Sequence, residues 1–105
     1  RGANLPSSVR ETLLEPKVTL TIEGQASGSC SPLSLNAPVG QYVKINLTAA
    51  PGKMFMLSIP KTGISLMADG GKTASKTTRF DQAGTFVFQC GIHGGKQSQG
   101  QIIVK

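Results

Sequence analysis

The segment from Gly84 to Lys105, GTFVFQCGIHGGKQSQGQIIVK, decides how the rest of this 105-residue chain reads. It opens as a strand. Phe86, Phe88 and Cys90 fall on one face, because side chains alternate along an extended backbone. A short glycine-rich loop follows and carries His93, the single histidine of the chain. Ile102-Ile103-Val104 then forms a closing strand. A thiol and an imidazole therefore stand three residues apart, at the end of a core-facing row. Thiolate with imidazole is a donor pair suited to copper or zinc.

Upstream, the chain reads as more short strands. Lys17 to Glu23 alternates, with Val18, Leu20 and Ile22 on one side. Gly24 to Ser29 has loop composition and delivers Cys30. Leu33 and Leu35 lead into a turn at Pro38-Val39-Gly40. Gln41 to Thr48 is a third strand, with Val43, Ile45 and Leu47 inward. Met54 to Ile59 is a fourth, and Thr77 to Phe80 another. Pro60 to Lys76 reads as long and irregular, anchored by Ile64, Leu66 and Met67. Residues 1–16 read as an N-terminal arm, with Ser7 placed to cap a short helical turn that ends before Pro16. Residues 17–105 form one domain. About seven to eight strands, with turn signals every ten residues or so, predict an all-β fold, a Greek-key β-sandwich.

Composition narrows the function. The chain has 11 Lys+Arg against 5 Asp+Glu. Its lysines are scattered and no arginine cluster is interleaved with aromatics, which argues against nucleic acid. A basic surface of this kind gives solubility, or docking to an acidic partner or an anionic membrane. No apolar run reaches the length of a transmembrane helix. Asp69 and Asp81, the two aspartates, lie in turn-like sequence, so no Ser-His-Asp set forms and the chain reads as a non-enzyme. A Cys90/His93 nucleophile pair is the best catalytic alternative, but their spacing across a strand-end loop suits a shared metal better. Two cysteines allow one disulfide.

The segment Cys90-Gly91-Ile92-His93, followed by Gly100 and a last strand, resembles the C-terminal end of a cupredoxin. VKINLTAAPGKMFMLSIPKTGIS resembles the central strand and ligand loop of plastocyanins and cytochrome oxidase subunit II domains. TTRFDQAGTFVFQC resembles their approach to the copper cysteine. The resemblance runs over nearly all of Lys17 to Lys105. It implies copper as cofactor, with Cys90 and His93 as ligands. Two parts of the family pattern are missing. The axial methionine would fall near Gln97-Ser98-Gln99, where a glutamine amide is the available replacement. The first histidine would fall at Lys53 to Met56, where Met54 or Met56 is the best substitute. The layout also brings the loop before Cys30 to the metal end, adding Cys30 to the candidates. Thiolates and thioethers favour Cu(I).

The expectation is an extracytoplasmic, periplasmic copper-binding protein with a sulfur-rich site of Cys90, His93, Met54, Met56 and Cys30. Its role would be to hold or deliver Cu(I) in copper homeostasis, with a copper donor or acceptor protein as partner. The start at Arg1 fits a preceding segment, such as a membrane tether, that was removed or omitted. Electron transfer with a redox partner, through a modified site or one bridged across a homodimer, is the first alternative. A metal-free interaction module stapled by Cys30–Cys90 is the second. Each residue has a plainer role too: a surface imidazole for His93, and core packing for Met54 and Met56.

Overall fold

A computed structural model describes residues 18–105. The proposed capping turn in the arm lies outside these residues. Nine strands follow one another: β1 (Val18–Gly24), β2 (Cys30–Ser31), β3 (Ser34–Ala37), β4 (Tyr42–Thr48), β5 (Phe55–Ile59), β6 (Ile64–Ala68), β7 (Thr73–Arg79), β8 (Gly84–Ile92) and β9 (Gln97–Val104). They form a four-stranded sheet, β2-β1-β4-β7, and a five-stranded sheet, β3-β9-β8-β5-β6. β1 and β4 run parallel, as do β3 and β9; the other neighbours are antiparallel. This is the all-β sandwich that the sequence predicts, and no α-helix occurs among the described residues.

The period-2 pattern explains the layering. Leu20 and Ile22 from β1, with Val43, Ile45 and Leu47 from β4, face inward from the first sheet. Phe55, Leu57 and Ile59 from β5, Phe88 and Cys90 from β8, and Ile102 and Val104 from β9 face them from the second. The core is aliphatic with a few phenylalanines, and the described residues bury no polar or charged side chain. Removing this apolar surface from water is the main force that holds the two sheets together.

One expectation is corrected. Where the sequence predicts an irregular segment over Pro60 to Lys76, the structure has a 3-10 turn at Pro60–Thr62, then β6 and the first part of β7. The turn ends at Gly63, whose left-handed φ of 73° suits glycine. Ile64, Leu66 and Ala68 then point inward, while Ser65 and Met67 point out. The alternation is only five residues long, and the glycines that bracket it mask it. β7, TASKTTR, buries none of its side chains fully. It is an edge strand whose Lys76 and Arg79 keep that edge charged, and so has little hydrophobic pattern to read.

Candidate functional site

β5, β6 and β8 carry most of the candidate residues to one end of the five-stranded sheet. The order of their side chains follows from register. Leu57 lies opposite Leu66 on one side and Cys90 on the other. All three are buried. One residue earlier, Met56 lies opposite Met67 and Gly91. Neighbouring residues on a strand face opposite ways, so Met56 is on the other side of the sheet from Cys90.

Cys90 is bonded to Cys30. Cys30 sits on β2 of the opposite sheet, so the bridge ties the two layers together across 60 residues of sequence. Their Cα atoms are 6.0 Å apart, within the usual span of a disulfide. Both cysteines are buried, Cys90 completely. Neither is free. Of the open roles for Cys30, the structure shows the disulfide partner.

The loop after β8 turns back sharply. The Gly95 amide donates to the Ile92 carbonyl at 2.8 Å, and Gly94 has a φ of 80°. Gly91 lies where a Cβ would run into the Lys96 carbonyl, so a side chain there would push the loop away. The Gln97 amide nitrogen donates to the carbonyls of Ile92 at 2.9 Å and Gly95 at 3.2 Å. Its side chain therefore ties the loop in place. Gln99 is exposed.

His93 is exposed at the first corner of that loop. Its backbone amide donates to the Met54 carbonyl at 2.8 Å, which extends the β5–β8 ladder by one pair. Met54 is 40% exposed and Met67 51%. Met56 is half-buried. The structure thus divides the five sequence candidates: Cys30 and Cys90 meet inside the sandwich, while Met54, Met56 and His93 stand on the outer side of one sheet. Met67 joins the second group, placed there by the alternation of β6. The signal that could have found it is the Ile64, Leu66, Ala68 row.

An open cleft of about 370 Å³ lies between the loop that precedes β2 and the turn between β8 and β9. Ser27, Gly28, Ser29, Ile92, Lys96 and Ser98 are among its lining residues. Ser29 directly precedes Cys30, and Ser98 is registered opposite Cys90.

A blue-copper site uses two histidines and a cysteine in a trigonal set. These residues do not fit it: the chain has one histidine, and the Cys90 sulfur is committed to Cys30. Among the described residues, no three His, Cys, Asp or Glu side chains gather as a metal cluster.

Comparison with known proteins agrees on the architecture. The chain superposes on the metal-binding domain of the Cu(I)-exporting P-type ATPase CopA of Streptococcus pneumoniae, solved with Cu(I), with a TM-score of 0.70 at 17% identity, covering 88% of this chain and 90% of that one. The periplasmic domain of cytochrome oxidase subunit II (CoxB) of Bradyrhizobium japonicum gives 0.68 at 17% identity, over 87% and 86% of the two chains. The mixed-disulfide intermediate between a thioredoxin-like TlpAs protein and subunit II of cytochrome c oxidase gives 0.65 at 15% identity, over 97% and 86%. No curated protein sequence matches the chain closely. The profile of the cupredoxin-like domain matches residues 7–104, nearly the whole length, and the chain belongs to that family.

Proposed function

We propose that this domain binds copper as Cu(I), outside the cytoplasm, and that the Cys30–Cys90 pair gates the binding. The observation that carries this reading is the bridge itself. Cys90 occupies the copper-cysteine position of the resemblance, and its partner Cys30 reaches it from the other sheet. Closed, the pair offers no thiolate. Opened, it puts two thiols at one place, and soft donors of that kind select Cu(I). Copper is here a cargo to be held and passed on, not a centre for catalysis. A disulfide of this kind suits an oxidising compartment. The periplasmic neighbour supports the same setting, and the neighbour solved with Cu(I) supports the choice of metal.

Opening the bridge needs two electrons and two protons. A thioredoxin-like dithiol supplies them by thiol–disulfide exchange. Its first thiolate attacks one cysteine sulfur and displaces the other as a thiolate. Its second thiol then resolves the mixed disulfide, so the reductant leaves oxidised and both cysteines are left reduced. The mixed disulfide formed by a cupredoxin-fold neighbour with a thioredoxin-like protein supports a partner of this class.

The test compares the oxidised protein with the protein reduced by a thioredoxin-like reductant, and counts alkylatable thiols with and without Cu(I). Reduced protein is expected to protect both thiols on binding one Cu(I). Two thiols that alkylate equally fast with or without Cu(I) would defeat the gate. That result would favour the second reading, a metal-free interaction module stapled by the bridge, which the burial of both cysteines supports. Electron transfer has weaker support, because one histidine per chain leaves a blue-copper set dependent on a second chain.

A further inference from the structure

All three methionines of the chain and its one histidine sit together on the outer side of the five-stranded sheet. Met56 and Met67 are direct cross-strand partners. Side chains so paired have Cβ atoms about 5 Å apart. Met54 is two residues along the same strand direction from Met56, and so on the same face. His93 is hydrogen-bonded through its backbone to Met54, and is therefore Met54's own cross-strand partner. The alternation along β8 continues into it: Cys90 is buried, Ile92 packs against the core and His93 is exposed. None of the four is needed by the core. Methionines normally fill interior gaps, yet Met54 and Met67 rank among the few large apolar side chains that this fold leaves in the open.

We propose that Met54, Met56, Met67 and His93 form a second metal site, for a soft monovalent cation such as Cu(I), that operates without either cysteine. Three thioethers and an imidazole make a donor set with no formal charge. Thioethers bind Cu(I) and discriminate against hard divalent ions. The methionine side chain has three rotatable bonds, so two cross-strand partners and a neighbour along the strand can converge on one ion. His93 adds the single donor that also competes well for harder metals, and the three sulfurs set the selectivity. The site is available while the Cys30–Cys90 bridge is closed. The domain would then have two faces for copper at one end: an outer one that is always open, and an inner one that requires reduction.

The two sites are read separately. Protein with its disulfide intact, confirmed by a zero thiol count, is titrated with Ag(I), a soft monovalent ion that needs no reductant. The methionine methyl groups and the His93 ring are followed by NMR. The expected result is one Ag(I) per chain, with shifts at all three methyls and at the imidazole. Met56→Leu combined with Met67→Leu keeps volume and apolarity, and is expected to weaken Ag(I) binding at least about tenfold. A thermal melt unchanged by that pair shows that folding is intact. Ag(I) that fails to bind the oxidised protein, or that binds the double variant as tightly as the parent, would overturn the site. His93→Ala is expected to weaken binding too, and an unchanged affinity would remove the imidazole from the set. None of these results bears on the thiol gate, which is read only in reduced protein.

Discussion

Leu57 and Met56 are adjacent in sequence and belong to different worlds. Leu57 lies against Cys90 in a dry interior. Met56 lies against Met67 at the surface. Both sides of this sheet carry sulfur, but in chemically distinct forms. The inner sulfurs are locked to each other and shielded from water. The outer ones are thioethers, which take no part in disulfide exchange. A one-residue step thus separates a pair that undergoes thiol–disulfide exchange from a pair that does not, and the pleat alone keeps them apart.

The contrast is broken most severely from the inside. Phe88 is fully buried next to Cys90 on the inner face, and the tip of its ring fills the space that a side chain on Gly100 of β9 would need. Phe88→Ala removes that ring and leaves a cavity beside the bridge. The expected loss is about 3–5 kcal/mol, measured by denaturant unfolding at fixed redox state. A loss under about 1 kcal/mol would mean that the two sheets collapse to refill the space. The same substitution should leave Ag(I) binding at the outer methionines unchanged wherever the protein is folded.

Removing the bridge comes next. Cys30→Ala with Cys90→Ala keeps small apolar groups in place and leaves no thiol unpaired. The cross-link closes a span of 60 residues. Its loss should cost about 2–4 kcal/mol, mostly by freeing the unfolded chain. Unfolding midpoints of the parent and the double variant, both in oxidising buffer, give the difference. Equal midpoints would show that the bridge contributes nothing to the fold and would leave gating as its sole use.

The inner face was the legible one. Val43, Ile45 and Leu47, or Phe86, Phe88 and Cys90, announce a buried row by alternation alone, and the sandwich follows from enough such rows. The end at which the cysteines gather was legible through the resemblance carried by Cys90 and His93. Two things were not. The first is the pairing of Cys30, since two cysteines give the same sequence whether they share a bond or a metal. The second is the outer group. Met54-Phe55-Met56-Leu57 is apolar at every position, so period-2 burial is invisible in it. Only register against Met67 and Gly91 shows which residues face out. β6 added to the difficulty, because Pro60, Gly63, Gly70 and Gly71 surround its short alternation with turn signals.

The smallest expected effect on stability is also the sharpest test of the comparison. Met56→Leu changes a half-buried side chain on the outer face for one of similar volume. Such a swap should move stability by less than about 0.5 kcal/mol. Leu57→Met, one step along the chain, makes the opposite exchange in the core, where Leu57 is fully buried. Its cost should stay under about 1.5 kcal/mol, since volume is again nearly kept. The pair therefore shifts one thioether across the sheet with little change in folding free energy. If the outer site depends on position, Met56→Leu weakens soft-metal binding and adding Leu57→Met does not restore it, because the new sulfur points at Cys90 instead of Met67. Restoration by the second substitution would show that the strand can slip or twist enough to trade faces, and the separation of the two sulfur groups by the pleat would fail with it.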